Sequence, residues 1–356
     1  YLGIMCGTSL DSIDISIINA AGKKFKVFGF QEYQLSQKFK NKINGLKSSK
    51  PTTTAVNNFN AEITTLIIGQ VKNILKKYRL DKSDISAIGY AGITLDHRPD
   101  LKKSLYLGNP KILSSMLSIP VISDFRQTDI DAGGQGAPLT GLFHKYLNTI
   151  MNKSLIYLNL GGFANVSIPN KAKLMSYDTG PANYLIDAWC REKFDIEFDL
   201  NGRLASMGEI DFEILKLMLK DKYFIKKPPK STGFELFNMG WVMKHLKKTS
   251  FSSDINILAT LAYLTVITVS NDINKYNNQP NSIFFYGGGA FNKLIVEGII
   301  DLTKLKKVKS LRYGVNEKNL EATAFAWLAL MRINRVKFPK SEITGASKSY
   351  YLGNIY

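Results

Sequence analysis

Cysteine is nearly missing from this chain: its 356 residues include two, Cys6 and Cys190. Two thiols so far apart exclude a disulfide scaffold and fit a reducing compartment such as the cytoplasm. Histidine is scarce as well. The three present, His97, His144 and His245, have no metal-ligating spacing, so no zinc site can be argued. No Ser-His-Asp arrangement is evident. The phosphate-binding pattern GxxxxGK[ST] is absent, no signal peptide is visible, and no low-complexity linker divides the chain. The longest apolar run, residues 257–269, is interrupted by Thr260, Tyr263 and Thr265. It is too short to span a bilayer and reads as a core helix, so no membrane partner is expected. Acidic residues are in deficit, 29 against 47 basic ones, for a net charge of +18. The lysines are scattered. Their densest stretches, 220–230 and 304–309, lack the regularly interleaved aromatics that stack on bases, so nucleic acid is not an expected partner. The positive potential serves instead to gather small anionic substrates.

What remains is ample apolar material. Hydrophobic residues make up 45% of the chain, enough for a proper core, and the length is a prior for two domains. Strand and helix patterns alternate throughout, which indicates the α/β class. Residues 1–30 read as two or three strands, 56–80 as a long amphipathic helix, and 85–95 and 120–124 as buried strands. The segment GGQGAP at 133–138 reads as a hinge or a backbone-exposing loop. Residues 282–294 (SIFFYGGGAFNKL) read as strand, glycine triplet and helix, and 320–331 as a helix packed through alanines.

Two segments look alike, one in each half: YLGIMCGTSLDSIDISIIN at 1–19 and LIYLNLGGFANVSIPN at 155–170. Each is a strand, a glycine-containing polar turn and a returning strand. The turns offer backbone N–H groups beside hydroxyls or amides, suited to phosphate or a hydrated metal ion. The pair suggests two related domains facing a nucleotide. In the first turn Gly7, Thr8, Ser9 and Ser12 suit phosphate oxygens, and Asp11 and Asp14 suit a hydrated Mg²⁺ reached through water. An ordinary Gly/Ser/Asp hairpin turn is the plain alternative. In the second turn the candidates are Gly161, Gly162 and Asn165. Gly287, Gly288 and Gly289 end an apolar strand, and side-chain-free backbone there admits a flat or anionic ligand such as an adenosine moiety. The alternative is a tight strand-to-helix turn.

Asp178-Thr179-Gly180-Pro181 reads as a turn entering a helix, with Pro181 at the first helical position. The helix dipole would then favour ionised Asp178. Such a carboxylate is either an N-cap or a base for an attacking hydroxyl or water. Asp124, Arg126 and Asp129 form an acidic–basic cluster beside GGQGAP. Arg126 suits a carboxylate or phosphate, and a salt-bridged junction is the alternative.

Taken together these segments resemble the anhydro-N-acetylmuramic acid kinases, members of the superfamily of sugar kinases, heat-shock chaperones and actin. The likeness runs almost end to end. It is carried by GIMCGTSLDSID at 3–14, DFRQTDIDAGGQGAPL at 124–139, LNLGGFANV at 158–166, DTGPANYLIDAW at 178–189, PPKSTGFELFN at 228–238, GGGAFN at 287–292, EATAFAWLA at 321–329 and TGA at 344–346. The resemblance implies a two-domain actin-like ATPase (ribonuclease H-like) fold, with mixed sheets flanked by helices. One domain would hold 1–126 with about 331–356, the other 127–330, and the two would close over their ligands. It implies a homodimer with ATP, Mg²⁺ and an amino sugar as ligands. It also implies that Asp178 is the base, that Arg126, Thr94, Glu321 and Asp187 contact sugar, and that Asn292 joins the glycine triplet in holding nucleotide.

Departures cluster in the N-terminal half. Ala91 and Ile93 stand where the family has His and Gln, and Tyr106 where it has Gln. Gln127 and Thr128 replace two arginines and Asp131 an alanine. Phe234 replaces an arginine, and Cys6 and Ser12 replace a serine and a glycine. Nucleotide motifs are largely kept, so ATP is the firmer expectation. An altered sugar kinase for a different amino sugar and a non-catalytic nucleotide-binding protein are the competing readings.

Overall fold

A computed structural model describes residues 1–7, 10–20, 25–48, 53–98, 101–170, 173–248, 252–275, 280–341 and 343–356. In chain order the strands are β1 (Leu2–Cys6), β2 (Ser12–Asn19), β3 (Lys26–Gln34), β4 (Ile88–Tyr90), β5 (Ile93–Arg98), β6 (Lys103–Leu107), β7 (Val121–Ser123), β8 (Ile156–Leu160), β9 (Phe163–Asn170), β10 (Lys173–Pro181), β11 (Ser282–Tyr286), β12 (Lys306–Lys307) and β13 (Asn354–Ile355). The chain divides into two compact units, residues 1–143 with 311–356, and residues 144–310.

The first unit is built on a sheet ordered β13-β7-β4-β1-β2-β3. Its first three strands are antiparallel, and β4 and β7 continue parallel to β1. The expected strand over 85–95 is broken in two at Gly92, whose φ of +77° only glycine adopts without strain. β5 therefore leaves the sheet to form a hairpin with β6. On one face lies the Thr53–Tyr78 helix, which buries Ile63, Ile67, Val71 and Ile74 at helical spacing. The Leu320–Ile333 helix lies against β1, β2 and β4. It approaches so closely that a Cβ on Gly3 would sit 1.9 Å from the Ala322 carbonyl oxygen, and one on Gly89 2.0 Å from that of Phe325. The alanines of this helix make that approach possible. Ser16 and Thr323 seal it with a buried hydroxyl pair at 2.8 Å.

The unit boundaries differ from the sequence expectation. Residues 127–143 and 311–330 belong with the first unit, because their polar and apolar partners are there. Buried Asp129 accepts from the Thr344 hydroxyl at 2.6 Å, from the Gly136 N–H at 2.7 Å and from the Tyr350 hydroxyl. The Gln135 N–H bonds the Thr344 carbonyl at 2.7 Å. A Cβ on Gly134 would lie 2.1 Å from Asp129 Oδ2. GGQGAP is thus not a hinge. It is wrapped on a buried carboxylate, together with the closing TGA.

The second unit has the order β10-β9-β8-β11-β12. Again three antiparallel strands are followed by two parallel ones. Each unit therefore shows the third-second-first-fourth-fifth order of a ribonuclease H-like sheet, and the repeated hairpins, β1–β2 and β8–β9, occupy the same place in each. The core of the second unit is crossed by the Asp254–Asn274 helix, 21 residues long. By length and apolarity it is able to cross a membrane, so the shorter span read from the sequence understated it. Its most apolar stretch is 67% buried inside the protein, and Leu258, Leu261, Leu264, Val269 and Ile273 pack within the unit's core.

Candidate active site

In the second unit the ends of β8 and β11, which run parallel side by side, bring two glycine segments together. Gly161 and Gly162 follow Leu160 directly. Gly287 takes φ +79° and ψ 171°, a conformation open to glycine alone, and its Cβ would lie 2.2 Å from Asn159 Oδ1. A Cβ on Gly289 would meet Leu160 Cβ at 2.8 Å. Two of the three glycines are therefore demanded by packing, and only exposed Gly288 is free of close neighbours. The triplet does not open the helix. A 3₁₀ turn, Gly288–Phe291, intervenes, and Asn292 caps the Lys293–Thr303 helix by accepting from the Ile295 N–H at 3.3 Å. This end of a parallel strand pair is where α/β sheets receive ligands.

Asp178 is not in a turn ahead of a helix. β10 runs through Pro181, with a bulge between Asp178 and Gly180, and the next helix is Asn183–Phe194. Pro181 is a strand residue, and Ala182 precedes the helix without a side-chain cap. The first amides of that helix are already taken: Ala182 and Tyr184 N–H bond the Gly162 carbonyl at 3.0 Å, and Asn183 N–H bonds that of Gly161 at 3.1 Å. The dipole is not what holds the carboxylate. Asn165 Nδ2 donates to Asp178 Oδ1 at 2.9 Å and the Thr232 N–H to Oδ2 at 3.0 Å. Asp178 N–H bonds the Lys230 carbonyl at 3.2 Å and the Tyr223 hydroxyl bonds the Asp178 carbonyl at 2.7 Å. The bulge turns a strand residue into a half-buried carboxylate gripped from two sides, one oxygen each. Asp187 lies one turn into the Asn183–Phe194 helix, half-buried.

In the first unit, Thr8 and Ser9 lie outside the described residues. Gly7 and Leu10 close the β1–β2 turn through an N–H···O bond of 3.1 Å. Asp11 is exposed and ion-paired to Lys40 at 3.0 Å. Ser12 donates to Asp14 Oδ1 at 2.6 Å. Burial pushes the Asp14 carboxyl up to about 6; the Ser12 bond opposes the rise and Glu32, directly across on β3, adds to it. Glu321, at the start of the Leu320–Ile333 helix, is pushed up to about 7 by burial and by Asp14, with the Arg126 guanidinium opposing. Asp14 and Arg126 thus both act on Glu321, in opposite directions. Arg126 also donates to the Gly136 carbonyl at 2.9 Å. Thr94, half-buried on β5, faces Tyr106 on β6.

The departures from the family have local partners. Tyr106 donates to Asp124, which also accepts from the Tyr356 hydroxyl and, at 3.0 Å, from Asn354 Nδ2. The carboxylates of the expected acidic–basic cluster are bonded by hydroxyls and amides, and the Arg126 charge acts on Asp129. Gln127 and Asp131, both changed, bond one another at 2.8 Å. Thr128 accepts the Gly353 N–H at 2.8 Å. Ala91 and Ile93 are buried, and Phe234 is 45% exposed. Sequence reasoning assigned no role to Tyr223, Lys230 and Thr232, which bond Asp178, or to Asp272, which pairs with Lys230. The run PPKST was the only available signal.

The family model for anhydro-N-acetylmuramic acid kinase matches residues 1–356. A protein of that name from Sulfurovum sp. (strain NBC37-1) is 36% identical over 361 residues, covering 100% of this chain and 98% of its own. One from Vibrio vulnificus (strain CMCP6) is 31% identical over 362 residues, covering 100% and 98%. Among solved structures, the activator of the 2-hydroxyisocaproyl-CoA dehydratase from Clostridium difficile with bound ADPNP is similar at TM-score 0.46 and 12% identity, over 94% of this chain and 96% of that one. With a family model matched over its whole length and relatives 31–36% identical end to end, this chain belongs to the anhydro-N-acetylmuramic acid kinase family.

Proposed function

We propose that this protein opens the 1,6-anhydro bridge of anhydro-N-acetylmuramic acid with water and transfers the γ-phosphoryl group of ATP to the freed 6-oxygen. The products are N-acetylmuramic acid 6-phosphate and ADP, as in peptidoglycan recycling. The observation that carries this reading is Asp178: a carboxylate fixed by two donors at a strand end, in a chain of this family. Asp178 takes a proton from the attacking water as the water oxygen bonds the anomeric carbon and the bond from that carbon to the 6-oxygen breaks. The 6-oxygen takes up the γ-phosphorus and the bond to ADP breaks. Little covalent chemistry falls to the protein, so positioning and charge neutralisation carry most of the catalysis.

Gly161, Gly162, Asn165 and the 287–289 segment are the nucleotide residues in this reading, with Asn292 acting through its cap. Arg126, Thr94, Glu321 and Asp187 serve the sugar. Mg²⁺ fits Asp14 by its donor set: the residue is a half-buried carboxylate directly across from Glu32, with Ser12 bonded to Oδ1. Asp11 is drawn to Lys40 and fits less well. Among the described residues no group of three or more His, Cys, Asp or Glu could hold a metal ion. When bound, Mg²⁺ neutralises phosphate charge.

The test is phosphorylation from labelled ATP of anhydro-N-acetylmuramic acid and of plain N-acetylmuramic acid. Label transferred to the anhydro sugar alone supports the proposal. A second reading, a kinase for another amino sugar, is favoured by Tyr106 on Asp124 and by buried, apolar Ala91 and Ile93. Transfer to other amino sugars at the expense of the anhydro sugar would establish it. ATP binding without transfer to any sugar would leave a nucleotide-binding protein. In the same reading the enzyme is a cytoplasmic homodimer, which sedimentation and cell fractionation check.

A further inference from the structure

A lysine is buried beside Asp178 and the reaction above gives it no part. The Lys230 side chain is 3% exposed and pairs with Asp272, 5% exposed, at 3.1 Å. Its ammonium lies 4.9 Å from the Tyr223 ring centre and 5.5 Å from that of Tyr177. Burying such a pair is costly in desolvation, and a hydrophobic pair of like volume would serve stability as well or better. The position of Lys230 in the chain matters more. Its own carbonyl takes the Asp178 N–H, and two residues on, the Thr232 N–H donates to Asp178 Oδ2. Asp272 stands near the end of the Asp254–Asn274 helix, which also bonds the Pro181 carbonyl through Thr265 at 3.1 Å. One core helix therefore holds both the strand end that carries Asp178 and the strap that grips its carboxylate.

We propose that the buried Lys230–Asp272 pair is a positioning device for Asp178. It pins residues 230–232 so that the Thr232 N–H meets Oδ2 while Asn165 Nδ2 meets Oδ1, which fixes the direction in which the carboxylate faces. Tyr223 is part of the device: its ring packs on the ammonium and its hydroxyl ties down the Asp178 carbonyl. Lys275, which also reaches Asp272, keeps that carboxylate paired when Lys230 is changed. This inference rests on Asp178 being the base.

The experiment is a kinetic cycle on the full chain with ATP and anhydro-N-acetylmuramic acid, comparing wild type, Lys230→Met, Asp178→Asn and the double variant. Lys230→Met keeps the stem and removes the charge. The expected result is a kcat lower by about 10- to 100-fold, with KM for both substrates within about three-fold. In the Asp178→Asn background the same change should move the residual rate by less than about two-fold, because the lysine acts through the carboxylate. An equal loss in both backgrounds, or a KM effect without a kcat effect, overturns the proposal. If Lys230→Met does not fold, isosteric Asp272→Asn makes the same comparison. A full rate in Asp178→Asn alone removes the base itself. A slow Asp178→Asn with an unimpaired Lys230→Met removes only the positioning role.

Discussion

Replacing Asp178 by Asn separates its chemistry from its contribution to the fold. In the wild type, Asn165 Nδ2 and the Thr232 N–H each donate to one carboxylate oxygen, at 2.9 and 3.0 Å. A carboxamide has a single oxygen, so one donor would face an NH₂ group. Asn165 supplies the remedy: its own Oδ1 is buried and has no hydrogen-bond partner. A half-turn of its amide presents that oxygen to the introduced NH₂, and Thr232 keeps the remaining oxygen. Both hydrogen bonds survive as neutral ones, each weaker by about 1 kcal/mol than its charged form. The cost is partly offset because a carboxylate no longer has to be desolvated. The net change should be about 1 kcal/mol or less, a Tm shift of no more than about 4 °C for a unit of this size. Asp178→Ala has no such remedy. Two partly buried donors lose their partner at about 1–3 kcal/mol each, so Tm should fall by about 5 °C or more. Turnover should fall about 10²- to 10⁴-fold in both, the usual share of a general base. Thermal unfolding by circular dichroism and ADP release at saturating substrates measure the two effects. An unimpaired rate in Asp178→Asn refutes the base, and an Asn variant as unstable as the Ala variant refutes the amide rotation.

At Gly287, φ +79° and an Asn159 oxygen 2.2 Å from any Cβ should make Gly287→Ala cost about 2–5 kcal/mol, whereas Gly288→Ala, with its nearest neighbour at 3.8 Å, should stay within about 1 kcal/mol; thermal unfolding distinguishes them. Gly3→Ala drives a Cβ to within 1.9 Å of helix backbone and should cost more than about 3 kcal/mol, while Gly69→Ala, with no atom within 4 Å inside a long helix, should add about 0.8–1 kcal/mol to stability. Glu321 is raised from 4.5 to about 7, so its proton-linked stability is complete below about pH 4.5 and is lost as pH rises through about 7. Glu321→Gln should therefore flatten the fall in Tm between pH 5 and 8, and an unchanged slope would exclude Glu321 as its source.

Much of the fold was legible because it is written twice. The hairpins at 1–19 and 155–170 become β1–β2 and β8–β9, the first two strands of two sheets with the same order. A pattern that recurs with the same polarity and turn composition reports a shared backbone. The boundaries were less legible. Nothing in the composition of 127–143 or 311–330 tells which core it joins. That is decided by Asp129 meeting Thr344 and Tyr350, partners more than 200 residues away, and by glycines at 3 and 89 whose reason is a helix far along the chain.

The site shows the same division, with one instructive failure. Asp178 was recognisable, but the cause assigned to its charge was wrong. Asp-Thr-Gly-Pro has the residue types of a helix entry, and a β-bulge at the end of a strand uses the same ones. A helix entry would have stabilised the carboxylate with peptide dipoles. The bulge instead delivers it to Asn165 on the neighbouring strand and to Thr232, 54 residues downstream. At the glycine triplet packing is a further reason for the residue type, since a Cβ at Gly287 or Gly289 would meet Asn159 or Leu160. The burial of Lys230 and its pairing with Asp272 were invisible for a physical reason, although Lys230 lies in the run PPKST. A lysine in a chain with so many reads as surface, and only a partner on a core helix tells the buried one from the rest. Local sequence thus marks which residues carry charge and which lack a side chain. Whether a charge is braced, and against what, depends on contacts distant in sequence, and for Asp178 those contacts are Asn165 and Thr232.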